Sequence, residues 1–419
     1  MTREAFDPVE SRALARKVFL QGVAAADPAH AVEEALKNRH FEDPIIIAVG
    51  KAARSMAEAA MRHVKSDTVI VVTNYENAKP LAGAEVRAAG HPVPDAEGAR
   101  AALRVEEALS HAKGDVIALI SGGGSALLPA PVPGVSLEDK AEVNKLLLAS
   151  GADIVTMNLV RQQLSRLKGG GLLRAAAPAK VSALLLSDVV NDDLRAIASG
   201  PTVSPIGTRE EAAQVLQDLG LWDRLPPSVS AYLARPQPDL GPLPESEVQL
   251  IGSNKISLTA MARATEHFEA EMAGKAGRVQ LFPIPLEGDV ADAAETVLDC
   301  AKESGIFLFG GETTVKISGD GMGGRNQELA LRVAMLAEQM GLKDYVFLSG
   351  GTDGRDGPTD AAGGLVDGGT LDRMRAVGLD PLEVLKRNDS YHGLQAADDL
   401  LQIGATGTNV ADLQVMIRG

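Results

Sequence analysis

The sequence predicts an α/β protein of two domains, and three observations carry that expectation. Apolar runs at residues 44–49, 116–120 and, with Ser182 as its one polar residue, 181–186 recur between longer amphipathic stretches, the pattern of parallel strands covered on both faces and joined by helices. At roughly 100–200 residues per domain, a chain of 419 residues is long for a single one. The stretch 226–244, PPSVSAYLARPQPDLGPLP, holds six prolines and few apolar residues, so it reads as the main connection between domains.

Composition removes several functions. Lys and Arg total 41 against 56 Asp and Glu, a net charge of −15, which repels nucleic acid and anionic membrane. Any anionic ligand must then be held by local basic groups. The lone Cys300 has no partner for an internal disulfide and suits a reducing compartment; in its helical pattern it reads as core. The opening MTREAFDPVE has no apolar leader, and no run reaches the ~18 apolar residues of a membrane span. A cytoplasmic enzyme is the expectation, with no nucleic-acid or membrane partner.

Taken in order, an amphipathic helix over 8–25 precedes the first strand, which ends in Gly50-Lys51-Ala52-Ala53 and passes straight into a helix. That puts Lys51 at the carboxyl end of a strand, the ligand edge of an open α/β sheet. A strand at 69–73 follows, then the loop Gly90-His91-Pro92-Val93-Pro94-Asp95, where Asp95 suits a helix N-cap and a lone His91 reads as a hydrogen-bonded structural residue. The strand 116–120 runs into Ser121-Gly122-Gly123-Gly124-Ser125. Three glycines in a row exceed what a turn needs and suit close approach to an oxyanion. Ser136 and Asp139 form a capping box for a helical region that continues to Lys168 and breaks at 169–171. The strand 181–186 delivers Ser187-Asp188, and the loop 191–202 carries NDDLRAIASGPT.

The alternation resumes beyond the prolines. A strand at 248–251 leads to Gly252-Ser253-Asn254-Lys255, with a further strand at 279–282 and a helix over 289–304. A strand at 306–309 turns at Gly310-Gly311, offers Glu312, and reaches a glycine-dense loop at 319–324 before Arg325 opens a helix. A cation there opposes the helix dipole, so an anionic ligand at that end would offset the mismatch. The strand 345–348 runs into a loop containing Asp353, and 410–417 reads as the last strand.

Lys51, the 122–124 glycines, Asp188, Arg325 and Asp353 thus stand on loops that leave strands, and convergence in a cleft between the domains is the expectation. Phosphoryl transfer needs such parts: cations on the moving charge, a base, glycine loops on phosphates, and a few carboxylates for magnesium. Familiar kinase signatures are missing, since Gly50-Lys51 lacks the rest of G-x-x-x-x-G-K-[ST], and neither H-R-D nor D-F-G occurs. A nicotinamide fingerprint also fails: Leu127 stands where the third glycine belongs, and Asn144 where an acidic residue would be.

Together, Gly50-Lys51-Ala52, Gly90-His91-Pro92-Val93-Pro94-Asp95, Ser121-Gly122-Gly123-Gly124-Ser125, Leu167-Lys168-Gly169-Gly170, Leu186-Ser187-Asp188-Val189, Ala198-Ser199-Gly200-Pro201-Thr202, Gly310-Gly311-Glu312-Thr313, Gly323-Gly324-Arg325-Asn326-Gln327-Glu328 and Gly351-Thr352-Asp353-Gly354 resemble the class II glycerate 2-kinase family, in family order from about residue 10 to 415. The resemblance implies a larger N-terminal Rossmann-like three-layer domain over 1–243 and a smaller C-terminal α/β domain over 244–419, containing the MOFRL region at about 304–412. It implies transfer of the ATP γ-phosphoryl group to the 2-hydroxyl of D-glycerate, with Mg2+, ATP and D-glycerate as partners and a homodimer as a possible assembly. On that basis Lys51, Asp188 and Arg325 are the expected catalytic residues. Ser121, Gly122, Gly123, Gly124, Ser125, Asn254 and Asn326 are expected at the nucleotide phosphates, with Asp353 and secondarily Glu312 on the metal. A nicotinamide-dependent hydroxypyruvate reductase and a non-catalytic sensor of small acids are the alternatives.

Overall fold

The computed structural model describes residues 6–189, 191–271 and 278–419; the first five residues of MTREAFDPVE lie outside that range. The chain forms two compact units, one of residues 28–251 and one of residues 1–27 with 252–419. The expected boundary was at 243/244. The observed crossings fall at 27/28 and 251/252, because the first helix packs with the C-terminal residues and the last strand before Gly252 completes the N-terminal sheet.

In the N-terminal unit, six strands line up in the order β3-β2-β1-β4-β5-β6, with β1 Ile45–Val49, β2 Thr68–Asn74, β3 Glu85–Ala89, β4 Val116–Ile120, β5 Val181–Leu186 and β6 Ser246–Gly252. The pairings of β1 with β2 and β4, of β2 with β3 and of β4 with β5 are all parallel. Alternate residues serve opposite faces. Ile47, Val49, Ala118, Ile120, Ala183 and Leu185 join the core under the helices 96–110 and 171–176, while Ile46, Ala48, Ile117 and Leu119 are buried on the other side. Two buried faces explain why β1 and β4 read as unbroken apolar runs and β5 nearly so. A satellite core of Leu146, Val160, Leu216 and Val229 lies among short helices. The proline-rich stretch lies within this unit and joins no two domains: Pro226 and Pro227 mark the N-terminus of a helix ending at Leu233, whose Val229 and Leu233 are buried, and Pro236, Pro238, Pro242 and Pro244 lie in the non-helical stretch that leads to β6. The helical region expected to run to Lys168 is two helices, Leu137–Ala149 and Ile154–Gln163.

The C-terminal unit is built on a mixed sheet in the order β12-β11-β10-β13-β9-β7, with β8 also paired to β9. Its strands are β7 Arg278–Leu281, β8 Leu286–Asp289, β9 Gly305–Thr314, β10 Tyr345–Gly351, β11 Gly363–Asp367, β12 Leu400–Leu401 and β13 Asp412–Arg418. Ile306, Leu308, Val346, Leu348, Leu413 and Val415 pack under the helices Pro8–Ala25 and Asn254–Glu271 through Leu14, Val18, Phe19, Leu258 and Met261. Phe307, Phe309, Tyr345, Phe347 and Met416 face the helices Val290–Cys300 and Arg325–Gln339. β9 does not turn at Gly310-Gly311 as expected but continues to Thr314. A side chain at Gly310 would overlap the Asn254 amide, and one at Gly311 would strike the backbone of Leu286 in β8; the glycines permit close packing along an uninterrupted strand. Cys300 is partly buried against this core, and burial pushes its thiol up, away from the reactive thiolate.

Candidate functional site

In the N-terminal unit the carboxyl ends of β1 and β4 are tied to each other. Ser121 N donates to Val49 O at 2.9 Å and Lys51 N to Gly122 O at 2.9 Å, while the buried Ser121 hydroxyl accepts from Ala52 N at 3.1 Å. The Lys51 backbone is therefore held, yet its ammonium has no hydrogen-bond or ion-pair partner among the described residues. Nor do the amide hydrogens of Gly122, Gly123 and Gly124 find an acceptor there. Adjacent free amides form an anion-binding concavity.

Asp188, delivered by β5, closes one side of this loop: a side chain on Gly122 would overlap its carboxylate. Burial pushes the Asp188 carboxyl up, and the Lys51 charge draws it partly back. On the other side stands His91, whose ring a methyl on Gly123 would meet at 3.0 Å, with Lys51 Cγ at 3.3 Å. Burial, then the Lys51 charge, lowers the imidazole pKa, so His91 is more firmly neutral than an ordinary histidine. The sequence expects a hydrogen-bonded structural residue here; among the described residues the ring has no hydrogen-bond partner, and it lies beside Gly123. Ser125 closes the loop through Ser199 Oγ at 2.7 Å, itself bonded to Asn158 Oδ1 at 3.0 Å. Ser199 and its neighbour Ala198 have φ of 61° and 50°, left-handed values uncommon for residues with a side chain.

The C-terminal unit gathers carboxylates around Arg325. Asp412 Oδ2 accepts from Nε at 2.6 Å and Oδ1 from Nη2 at 2.9 Å, and Glu312 Oε1 lies 3.1 Å from Nη1. Burial opposes the guanidinium charge, but Asp412, Glu312 and Asp356 outweigh it and hold the group protonated. The helix N-terminus is occupied too, since Asp356 accepts from Asn326 N at 3.2 Å and Gln327 N at 2.8 Å. The anion expected from an outside ligand to balance Arg325 and the helix dipole is thus supplied by the protein itself. Sequence reasoning missed Asp356 and Asp412; the visible signal was an acid heading the mainly apolar strand Asp412–Arg418. Burial pushes the Asp356 carboxyl up to about 7, with the Asp412 charge adding to it against the two backbone amides and Arg325.

Asn254 gives both amide hydrogens to backbone, to Val410 O at 2.9 Å and Asp412 O at 2.8 Å. Asn326 is buried and accepts from Ser349 Oγ at 2.6 Å. Asp353 is exposed, and its Oδ1 accepts from Arg355 N at 3.0 Å. Among the described residues no three His, Cys, Asp or Glu side chains form a ready metal cluster. Asp353 and Glu312 are both exposed, oxygen donors of the kind Mg2+ takes, and Glu312 also faces Arg325.

Among the described residues, the edge of this parallel sheet offers amides and an ammonium without partners beside a desolvated carboxylate, parts that suit an α/β protein handling anionic small molecules. Residues 14–234 match the family described as domain of unknown function DUF4147, and residues 305–412 match the MOFRL family. The chain belongs to this two-part family, which is that of the glycerate 2-kinases. It is 39% identical to the D-glycerate 2-kinase of Thermotoga maritima over 97% of this chain and 98% of that one. To the glycerate kinase of Rattus norvegicus it is 36% identical, over 96% and 92%. The crystal structure of the Thermotoga maritima glycerate kinase superposes with a TM-score of 0.90 at 37% identity, covering 98% of this chain and 100% of that one. A relative from Agrobacterium vitis, 39% identical, bears the name hydroxypyruvate reductase only provisionally. No helix among the described residues is long and apolar enough to cross a membrane.

Proposed function

We propose that this chain is an ATP-dependent glycerate 2-kinase that phosphorylates the 2-hydroxyl of D-glycerate. The observation that carries the reading is the loop at Gly122, Gly123 and Gly124, whose amide hydrogens have no acceptor among the described residues, set between the Lys51 ammonium, likewise without a partner among them, and the carboxylate of Asp188. The free amides take phosphate oxygens, and Lys51 neutralises charge on the transferring group. Ser121 and Ser125 shape this loop from within, because their hydroxyls are already bonded to Ala52 N and Ser199 Oγ. Asp188 accepts the proton of the attacking hydroxyl; desolvation raises its basicity, which suits a general base.

In the C-terminal unit, Arg325 is a second cation for the substrate carboxylate or the phosphoryl group, held at a fixed angle by Asp412. Asn254 and Asn326 support it indirectly, one fastening the start of β13 and the other bonding Ser349 on β10. Asp353, with Glu312 as the second candidate, would hold Mg2+, which when bound neutralises phosphate charge and orients the nucleotide. Cytoplasmic location and a homodimer belong to the same reading. Phosphorus NMR of the product from D-glycerate and ATP tests it. A single new monoester resonance at the 2-position is expected; a 3-phosphate, or NADH oxidation with hydroxypyruvate and no ATP consumed, would overturn the assignment.

A further inference from the structure

Beside the glycine loop the N-terminal unit holds cations that phosphoryl transfer, as derived above, does not use. Lys168 is 7% exposed and its Nζ donates to Ser125 O at 2.6 Å. Lys140 Nζ donates to Pro129 O at 2.6 Å. Arg161 gives its Nε to Asn144 Oδ1 at 2.9 Å and its Nη2 to the same oxygen. All three acceptors are neutral. Nearby Arg166 is different, since it takes both oxygens of Glu106, at 2.7 and 2.6 Å.

These side chains come from three segments and repel one another. Burial, then Arg161, pushes the Lys168 ammonium down to about 7. Burial pushes Lys140 well down, with Lys168, Arg166 and Arg161 adding to it. Burial also lowers Arg161. No carboxylate among the described residues acts to raise any of the three. Carbonyl capping after the short helix Gly124–Leu127 accounts for a donor at Lys140 or Lys168, but a neutral donor would do that without gathering charge. It leaves Arg161 unexplained. Lys168 is buried and Lys140 and Arg161 are half-buried; cations drawn out of water need a counter-charge, and these three have none among the described residues.

We propose that Lys140, Arg161 and Lys168 form an anion-binding subsite that takes a small oxyanion, either a carboxylate or a phosphoryl group. Lys168 links it to the glycine loop through the Ser125 carbonyl. The subsite goes beyond the kinase reading, and its first test needs no turnover.

Sulfate is the probe, because it stays dianionic and brings no titration of its own near neutrality. Calorimetry on the full chain carrying Lys51→Ala, which removes the loop cation, is run at pH 7.5 in buffers of different ionisation enthalpy, with chloride at matched ionic strength. Sulfate should bind with net proton uptake, since an anion holds Lys168 charged. Arg161→Gln should weaken binding about tenfold, Arg161→Lys should recover part of the loss, and Lys168→Met should abolish the proton uptake. Displacement of sulfate by D-glycerate assigns the subsite to a carboxylate, and displacement by ADP assigns it to a phosphoryl group. Absence of sulfate binding, or affinity and proton uptake within twofold of the Lys51→Ala parent in both variants, overturns the proposal. If Lys168→Met does not fold by circular dichroism, Arg161→Gln decides alone.

Discussion

Asp412→Asn tests how the C-terminal unit holds Arg325. Asparagine keeps the size of the side chain and one acceptor oxygen, so it removes the charge and one of the two bonds at 2.6 and 2.9 Å. Removing one partner of a fully buried pair costs roughly 3–5 kcal/mol. Here the Asp412 side chain is 1% exposed but that of Arg325 is 34% exposed, so solvent recovers part of the loss and about 2–3 kcal/mol remains. The backbone carbonyl of Asp412 still accepts from Asn254, which keeps β13 in place. The assay is paired: urea unfolding by circular dichroism for stability, and ATP turnover with D-glycerate for kcat. Arg325 then swings toward Glu312 alone, and kcat should fall about 10- to 100-fold, short of the ~10³-fold expected for Arg325→Ala when a phosphoryl clamp is removed. Stability within about 0.5 kcal/mol of the parent, the usual range for a neutral surface change, together with unaltered kcat would refute the idea that Asp412 aims this guanidinium.

Lys51→Ala should lower kcat by about 10³-fold with an unchanged melting curve, because the ammonium bonds to no described residue; a destabilised variant would show a structural role instead. Gly122→Ala should displace the Asp188 carboxylate and cut kcat at least about tenfold, whereas Gly220→Ala, with open space around it, should alter stability alone, and equal kinetics for the two would contradict the close approach. Asp356 sets a pH dependence. Its folded value near 7 lies above the ordinary carboxyl value, so between about pH 4 and 7 the folded chain keeps a proton that the unfolded chain has released. Stability therefore declines as pH rises through that window, by up to about 1.4 kcal/mol per unit from this group. Asp356→Asn should flatten that slope in urea unfolding at pH 5, 6 and 7, and an unaltered slope would show that another group is responsible.

The strands were legible because helices cover both faces of each sheet, so 116–120, 181–186 and 345–348 carried their signal in composition alone. Gly310-Gly311 misled, since glycine looks the same in a sequence whether it turns a chain or lets a neighbouring strand approach. The prolines at 226 and 227 misled similarly, as the residue that punctuates a linker also opens a helix. At the site, Lys51, the triple glycine and Asp188 were visible because each follows its own strand locally. Asp356 and Asp412 were not, because their meaning comes from pairing with a helix start some thirty and ninety positions away, and no local pattern encodes that. The position of His91 was illegible for the same reason: its neighbours Gly123 and Lys51 lie on other loops.

β13 sits between β9 and β10, inside its sheet. The helix Pro8–Ala25 packs on that same sheet through Val18 and Phe19, although the whole unit of residues 28–251 intervenes in the sequence. The C-terminal core is therefore closed by contacts of very large sequence separation, whose loop-closure entropy must be met before they reward it. The unit of 28–251, made from one continuous segment, carries no such burden and should order the sooner of the two.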